Sequence, residues 1–175
     1  MKRQRRYTNY RIAQIVAALA FVLLSLGQIA YRYYKKDDLV IVQSEKTEKH
    51  NAVFLFIHDG DTAEFVIDGK TVVVRMLAVD CPEHSEPGFE ESCNYTKNRL
   101  SNARRITIEL DPHSEKYDKY ERLLAWVWVD DELLQAKLIE NGHASIKYLY
   151  ENYLYTDYLY RIQAKKDLEN KNVTD

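Results

Sequence analysis

Three acidic residues and one arginine between residues 58 and 83 are of the types that bind metal ions and phosphate groups. Asp61 follows a turn signal, Arg75 lies within a long apolar run, and Asp80 and Glu83 follow that run. Carboxylate oxygens are the ligands that Ca²⁺ prefers, and a guanidinium is well suited to a phosphate group. Together these side chains could hold a divalent cation and orient a water molecule against a phosphodiester.

Asp61 and Asp80 are the candidate metal ligands. The ends of adjacent strands can meet at one rim of a sheet, which would bring the two carboxylates together. Like charges held so close repel each other, and a bound cation would explain their proximity. Two carboxylates, a backbone carbonyl and water molecules would form an all-oxygen site suited to Ca²⁺. Each residue alone could instead cap a turn, since Asp is common in turns.

Glu83 is the candidate general base. It follows Cys81 and Pro82, and the proline restricts the direction in which the chain continues. A carboxylate placed beside a metal-bound water can accept its proton. The alternative is an ordinary surface glutamate in a loop.

Two arginines are candidates for phosphate recognition. Arg75 lies between apolar residues of an expected strand, and a guanidinium there needs an anion, either a structural carboxylate or a substrate phosphate. Arg122 directly precedes the apolar run Leu123–Val129. Two guanidiniums at one rim would bind a phosphate bidentately and stabilise charge on a five-coordinate phosphorus. Arg122 alone could equally be a solvent-facing charge.

The charge is unevenly distributed along the chain. Of the 25 basic residues, eight lie in residues 1–36, which contain no acidic residue, so residues 37–175 hold 17 basic and 27 acidic side chains and carry a net formal charge of −10. This balance argues against a nucleic-acid partner held by broad phosphate neutralisation. A nucleic acid would have to bind at a local positive site or beside a bound cation.

The N-terminal part contains a mostly apolar stretch at residues 12–31 without a charged residue, long enough to cross a bilayer as a helix. We predict a transmembrane helix or signal anchor at residues 12–34, with the basic tail 1–11 in the cytoplasm. The rest of the chain would then be outside the cytoplasm, attached to the cell membrane by a single pass. A cleaved signal peptide is the alternative and would give a secreted protein.

The chain has two cysteines, Cys81 and Cys93. Export would permit a disulfide between them. They could equally be two small buried apolar residues.

The remaining residues predict one α+β domain. Residues 35–51 are polar and are expected to form a linker, residues 52–170 the folded domain, and residues 171–175 a tail. The predicted strands are Val53–Ile57, Ala63–Asp68, Thr71–Val79, Ile106–Leu110 and Leu123–Val129. The predicted helices are Phe89–Arg104, Glu132–Asn141 and Glu151–Asn170. The predicted order is three strands, a helix, two strands and two helices. This is the order of a five-stranded OB-fold β-barrel with three helices.

Several motifs of this domain resemble the staphylococcal nuclease (thermonuclease) family. The resemblance extends from about Val53 to Lys166 and keeps both the order and the spacing of the motifs. They are Asp59-Gly60-Asp61-Thr62, Arg75, Asp80-Cys81-Pro82-Glu83, Asp118-Lys119-Tyr120-Glu121-Arg122-Leu123-Leu124-Ala125, Gly142-His143-Ala144 and Tyr148-Leu149-Tyr150.

The resemblance implies an OB-fold and Ca²⁺-dependent hydrolysis of DNA and RNA that leaves 3′-phosphate ends, by a chain that acts as a monomer. It implies catalytic roles for Arg75, Glu83 and Arg122. It implies calcium ligation by Asp61, Asp80 and the backbone carbonyl of Cys81. It implies contacts with the phosphates and the base of a nucleotide for Lys119, Tyr120, Tyr148 and Tyr150.

Two other functions remain open from the sequence. An OB-fold can bind nucleic acid or protein without catalysis, and the net charge of −10 in residues 37–175 favours such a binding module at the cell surface. An envelope protein whose acidic surface binds cations structurally is a third interpretation. Neither binding role alone would require Arg75, Glu83 and Arg122 together.

Overall fold

The computed structural model describes Leu26 and residues 47–174. The chain divides into two units, residues 1–44 and residues 45–175, and every element below belongs to the second. The predicted membrane span at residues 12–34 and most of the predicted linker lie outside the described residues. Among the helices that are described, none combines the length and apolarity needed to cross a bilayer.

Five strands form a closed barrel, the two-residue strand β7 extends its sheet beside β6, and the two-residue strands β4 and β8 form a separate sheet. Strands β1, β2 and β3 form an antiparallel meander, β5 pairs with both β1 and β6, and β3 pairs with β6 in parallel to close the barrel. The strands are β1 (Lys49–Ile57), β2 (Thr62–Ile67), β3 (Lys70–Met76), β4 (Val79–Asp80), β5 (Ile106–Glu109), β6 (Leu123–Val129), β7 (Glu132–Leu133) and β8 (Ser145–Ile146). The closed five-stranded barrel with its helices is the predicted OB-fold arrangement.

The barrel closes between β3 and β6 over three residue pairs. In that register Arg75 faces Leu124, and on the other side of β3 it faces Thr62 of β2. Arg122 directly precedes β6, and its Nη1 lies 3.5 Å from Thr62 Oγ1 of β2. The closing register therefore places Arg75 and Arg122 near one rim.

Three helices cover the barrel: α1 (Phe89–Ser101), α2 (Leu134–Glu140) and α3 (Thr156–Thr174). Helix α2 is fixed to β6 by the fully buried Gln135, whose amide nitrogen donates to Ala125 O at 3.0 Å and whose amide oxygen accepts from Val127 N at 3.2 Å. These bonds join the helix to buried backbone groups of β6, of which Ala125 O also accepts the backbone N–H of Leu77 at 3.1 Å.

The core fills the barrel and the space beneath the helices. Alternate residues of the strands point inward, as the period of two requires. Fully buried members include Phe65, Val74, Ile108, Trp126, Leu134, Leu138 and Leu159. Leu159 of α3 and Tyr155, which directly precedes that helix, are also buried, at 0% and 4% exposed.

Two buried carboxylates tie β5 and its following loop to β6 and α3. Glu109 accepts hydrogen bonds from Trp128 Nε1 at 2.6 Å and from the Tyr155 hydroxyl at 2.8 Å. Asp111 accepts from Trp126 Nε1 at 2.8 Å and from the backbone N–H of Leu154 at 2.9 Å. The segment that precedes α3 is thereby held against the barrel.

The element ends differ from the predictions in identifiable ways. The predicted third strand ran to Val79, but β3 ends at Met76 because Ala78 adopts a left-handed conformation, with φ 65°, and starts a separate strand, β4. The last helix begins at Thr156 rather than Glu151, since residues 151–155 form turns. Strand β6 has the predicted ends.

The domain also exceeds its predicted limits at both ends. Strand β1 starts at Lys49, three residues before the predicted boundary, because Lys49 to Ala52 pair with β5 and the Lys49 ammonium lies 3.1 Å from Glu109 Oε1. Helix α3 continues to Thr174, where a tail from residue 171 was expected.

Candidate active site

A cavity of about 910 Å³ opens at the rim where β3, β4 and β6 meet. Its size matches that of pockets that hold small ligands. Nine of the ten residues predicted for catalysis, metal binding or substrate binding line it: Asp61, Arg75, Asp80, Glu83, Lys119, Tyr120, Arg122, Tyr148 and Tyr150. The tenth, Cys81, lies between Asp80 and Glu83 in the chain and is 4% exposed.

Asp61 is the most buried acid of the cavity, with 5% of the residue exposed. Its Oδ1 lies 3.0 Å from Arg75 Nη1, and its Oδ2 accepts the backbone N–H of Cys81 at 2.7 Å. Burial raises the pKa of Asp61 to about 7, although the charge of Arg75 opposes the shift, and the nearby Asp59 adds to it. The positive charge of Arg75 therefore only partly compensates the burial of this carboxylate.

Arg75 supplies the first guanidinium and is held rigidly. Its Nη1 donates to the carbonyl oxygens of Met76 and Val79, each at 2.9 Å, and its Nη2 lies 3.4 Å from Asp80 Oδ1. Only 13% of the side chain is exposed. The turn at Ala78 folds the chain back so that these carbonyls face the guanidinium. Arg75 thus bridges the two predicted calcium ligands, Asp61 and Asp80.

Asp80 has a second cationic partner, which the sequence did not indicate. Lys147 Nζ lies 2.7 Å from Asp80 Oδ2. Strand β4 pairs with β8, and the backbone N–H of Lys147 donates to Ala78 O at 3.0 Å, which places the lysine beside Asp80. The hydrogen bond to Asp80 raises the pKa of Lys147 above its ordinary value.

Arg122 supplies the second guanidinium and is oriented by Asp118. A single oxygen of Asp118, Oδ2, lies 2.7 Å from both Nε and Nη2 of Arg122, and these two contacts orient the guanidinium. Asp118 Oδ1 also accepts the backbone N–H groups of Tyr120 and Arg122. Despite partial burial, hydrogen bonds from Arg122 lower the pKa of Asp118. Arg122 Nη1 remains available toward the cavity, 3.5 Å from Thr62 Oγ1.

Glu83 differs from the other charged groups because its side chain is unrestrained. Its backbone is fixed, since its N–H donates to Glu86 Oε2 at 2.9 Å and its carbonyl accepts from Glu86 N at 2.7 Å. Within residues 47–174 no hydrogen bond or ion pair holds the Glu83 carboxylate. Its carboxylate is therefore free to reorient where it lines the cavity.

Exposed aromatic side chains border the cavity. Tyr120, Tyr148 and Tyr150 are 67%, 65% and 59% exposed. Lys119 Nζ lies 4.9 Å from the centre of the Tyr120 ring. Exposed rings beside cationic groups suit the stacking of bases together with contacts to phosphates.

The oxygen atoms of this rim fit a hard divalent cation. Asp61 and Asp80 contribute carboxylates, and the backbone carbonyl of Cys81 is the third predicted donor. The raised pKa of Asp61 reflects a buried carboxylate short of positive charge, which an added cation would supply. Among the described residues no group of three or more His, Cys, Asp or Glu side chains is placed to bind a metal, so water and backbone oxygens would complete such a site.

Cys81 and Cys93 are both free thiols in the structure, and the disulfide that the sequence left open is not formed. Cys81 is buried behind Asp61, and burial raises its pKa far above the ordinary value for a thiol. Of the two interpretations of the cysteines, the structure has Cys81 as a small buried residue.

Four residues in or beside the cavity were given no role from the sequence. Asp59, Asp118 and Tyr153 line the cavity, and Lys147 contacts Asp80. Asp59 Oδ1 accepts the backbone N–H of Asp61 at 3.0 Å, and Tyr153 packs edge-to-face on Tyr150 with ring centres 5.2 Å apart. Asp118 carried a usable signal, an acid four residues before an arginine. Lys147 carried none, because its partner Asp80 is 67 residues away.

The sequence matches the family described as Staphylococcal nuclease homologue over residues 73–173. The chain belongs to this family. The matched residues include nine of the ten predicted site residues; Asp61 lies before them. The resemblance noted from the motifs is thereby confirmed.

Individual relatives in the staphylococcal nuclease homologue family include bacterial nucleases. Endonuclease YncB of Bacillus subtilis (strain 168) is 37% identical over 117 residues, which are 62% of this chain and 55% of that protein. The thermonuclease of Staphylococcus intermedius is 30% identical over 169 residues, 91% of this chain and 96% of that protein. The thermonuclease of Staphylococcus hyicus is 33% identical over 165 residues, 91% and 94% of the two chains. This chain spans about half the length of YncB and nearly all of the thermonucleases. Membership of the family and these relatives support a nuclease.

Proposed function

We propose that this protein is a calcium-dependent nuclease that hydrolyses phosphodiester bonds of DNA and RNA and leaves 3′-phosphate ends. The observation that carries the proposal is the convergence of two oriented guanidiniums, two ligand-type carboxylates and one unrestrained glutamate on a single cavity. The nuclease relatives support it independently.

Glu83 acts as the general base in this scheme. Its carboxylate accepts a proton from a water molecule as the water oxygen forms a bond to phosphorus. General base catalysis by a positioned side chain contributes roughly 10²- to 10⁴-fold to a rate. The bond from phosphorus to the 5′-oxygen breaks, the 5′-oxygen takes up a proton from solvent, and the phosphate remains on the 3′-oxygen.

Arg75 and Arg122 stabilise the charge that builds on the phosphoryl oxygens. Both guanidiniums are held by carboxylates before substrate arrives, Arg75 by Asp61 and Arg122 by Asp118, so little reorganisation is needed during the reaction. Preorganised donors of this kind are usually the largest single contribution to catalysis.

Calcium, bound by Asp61, Asp80 and the Cys81 carbonyl, would supply positive charge beside a phosphoryl oxygen. The tyrosines at the rim support a substrate with accessible bases, such as single-stranded DNA or RNA or a frayed duplex end, because any base can stack on an exposed ring.

Digestion assays test this proposal directly. The purified 175-residue chain is incubated with DNA or RNA in millimolar calcium or in excess chelator, and product ends are identified by whether phosphatase treatment makes the 3′ ends extendable. We expect cleavage of both substrates with calcium and none with chelator. Substrate binding without cleavage in calcium would instead support the binding-module alternative.

We further propose that the nuclease domain lies outside the cytoplasm, tethered to the membrane by residues 12–34 or released by cleavage of that segment. The apolar stretch and its basic flank in the sequence support this location. Membrane fractionation combined with protease treatment of intact cells tests it. A chain that fractionates with the cytosol would refute both forms of the proposal.

A further inference from the structure

Two cations contact the carboxylate of Asp80, and they are held very differently. Arg75 Nη2 lies 3.4 Å from Oδ1, and the guanidinium is also bound by two backbone carbonyls and by Asp61. Lys147 Nζ lies 2.7 Å from Oδ2, and its only other recorded contact among the described residues is the Tyr148 ring, 5.2 Å from Nζ to the ring centre. Arg75 is therefore fixed, whereas the ammonium of Lys147 is free to leave.

The exposure of the two side chains agrees with this difference. The side chain of Lys147 is 47% exposed, against 13% for Arg75. A lysine carries its charge on a flexible four-carbon stem and remains well hydrated when it leaves a partner. Its backbone stays in place when this happens, because the N–H of Lys147 is bonded to Ala78 O.

An ammonium and a calcium ion compete for the same carboxylate. The ammonium occupies Oδ2 of Asp80, and a second positive charge bound to that carboxylate would lie within a few ångströms of Nζ, where like charges repel strongly. Binding of a cation by Asp80 must therefore displace Lys147 or overcome its repulsion.

We propose that Lys147 is a built-in competitor for the calcium site, which lowers its affinity for calcium by occupying Asp80 until the ion displaces it. This inference rests on the proposed function, in which Asp80 is a calcium ligand. Lys147 acts here through Asp80 as a residue that sets metal affinity, and it has no catalytic role of its own.

Calorimetric titration of the metal-free chain with calcium chloride tests the proposal. We expect Lys147→Met to bind calcium about three- to fivefold more tightly than the unaltered chain, the gain that matches loss of an exposed ion pair. Lys147→Arg retains a cation that can pair with Asp80 and should bind calcium much as the unaltered chain does. The rise in melting temperature on adding calcium should be larger for Lys147→Met than for either of the other two proteins.

Lys119→Met is the matched control. Lys119 carries the same charge as Lys147 and lines the cavity together with Asp80, but its ammonium lies over the Tyr120 ring rather than on a carboxylate. We expect a smaller change in calcium affinity than for Lys147→Met. An equal gain in both variants would mean that general charge at the rim sets the affinity, and would overturn the proposal.

Two further outcomes separate this inference from the proposed function. If the unaltered chain cleaves DNA only with calcium, but Lys147→Met binds calcium no more tightly, the inference fails and the nuclease proposal stands. If neither protein binds calcium at millimolar concentration, the inference and the calcium dependence fail together. Binding by Lys147→Met alone would support the inference.

Discussion

The charged residues at the rim differ in how firmly they are held. Arg75 is fixed by two backbone carbonyls and by Asp61, and Arg122 by the contacts of its Nε and Nη2 with Asp118 Oδ2. The Glu83 carboxylate has no such restraint among the described residues. Groups that stabilise charge gain from being preorganised, whereas a general base must adjust to the water it deprotonates. The arrangement at this scale therefore matches the division of roles in the proposed reaction.

Replacement of Glu83 by Gln tests the proposed base. We expect kcat to fall by roughly 10²- to 10⁴-fold, because the amide cannot accept the proton at neutral pH. The melting temperature should not change, since within residues 47–174 no hydrogen bond or ion pair holds the carboxylate. Glu90→Gln is the control: Glu90 is exposed in the first turn of α1 and should retain full activity. Unchanged kcat in Glu83→Gln would exclude this residue as the base.

The sequence predicted a contact between individual side chains correctly where burial of one charged residue requires a partner of opposite charge. A guanidinium within an apolar strand requires an anion, and Arg75 indeed lies on Asp61. A contact could not be predicted where the charged side chain is exposed and could remain hydrated without a partner. Lys147 is an exposed lysine that could have faced water, and its contact with Asp80 depends on the pairing of β4 with β8, two strands of two residues each. Strands that short leave no periodic signal.

Turns with left-handed backbone surround the cavity. Ala78, Glu121 and Tyr148 have φ of 65°, 63° and 54°, a region that residues other than glycine occupy at a cost. Ala78 turns β3 into β4, Glu121 precedes Arg122, and Tyr148 follows β8. Such local strain is common at functional sites, where the surrounding structure enforces it. Here the left-handed turns direct Arg75, Arg122 and the tyrosines of the rim toward the same cavity.

Glu121→Gly should stabilise the protein. Glycine adopts φ 63° without strain, and we expect a gain of about 0.5–1 kcal/mol in the free energy of unfolding, after its greater entropy when unfolded is counted. Denaturant titration measures the gain. Glu121→Ala removes the same charge but retains the strained conformation, so a gain confined to Glu121→Gly identifies the backbone as the cause. Equal gains in both variants would point to the charge.

Gly60→Ala should destabilise the domain and impair the metal-binding rim. A Cβ at Gly60 would lie 2.7 Å from Cys81 Cβ, Cys81 Sγ and Ser92 Oγ, closer than such atoms approach. Overpacking of this kind costs typically about 1–3 kcal/mol. Displacement of Cys81 also disturbs Asp61, because the Cys81 N–H donates to Asp61 Oδ2.

Gly69→Ala provides a comparison for this variant. A Cβ at Gly69 meets no atom within 4 Å, although the residue has φ 78°. We expect Gly69→Ala to lose stability through its backbone alone and to retain calcium affinity. Calorimetry of both variants separates the two effects, and unimpaired calcium binding by Gly60→Ala would contradict the proposed link through Cys81.

The predicted elements agree best with the structure where the local pattern is strong. Strand β6 is continuously apolar and β-branched or aromatic at most positions, and its ends were predicted correctly. The predicted strand through Val79 failed because the left-handed turn at Ala78 involves no glycine or asparagine that would signal it. The start of α3 failed because residues 150–155 are rich in tyrosine, and their turn is set by tertiary hydrogen bonds such as Leu154 N to Asp111.

The buried acids Glu109 and Asp111 connect distant parts of the domain through hydrogen bonds. They join β5 and its following loop to the tryptophans of β6 and to the beginning of α3. The segment between β8 and α3 carries Tyr150 and Tyr153, so this network also positions the aromatic rim of the cavity. Stability of the fold and placement of the tyrosines proposed to bind substrate are therefore coupled.

This coupling predicts a loss of stability at alkaline pH. Burial, together with the charge of Glu109 and the hydrogen bond to it, raises the pKa of Tyr155 far above its ordinary value of 10.0. Above pH 10 the unfolded chain has lost this proton while the folded chain retains it, so the free energy of unfolding falls as pH rises. In Tyr155→Phe that fall should be shallower, although the variant is less stable at pH 8 because the hydrogen bond is lost. Urea titrations between pH 8 and 11 measure both effects, and identical slopes would contradict the assignment.

The parallel seam between β3 and β6 joins only three residue pairs, and Arg75 belongs to the middle pair. Local opening of so short a seam would cost less free energy than global unfolding. It would separate the two guanidiniums while the β2–β3 and β5–β6 pairs remained intact. The proposed reaction would then stop during a transient local opening that leaves most of the secondary structure unchanged. A small molecule that wedges into this seam could therefore inhibit the protein without ever competing for the substrate pocket.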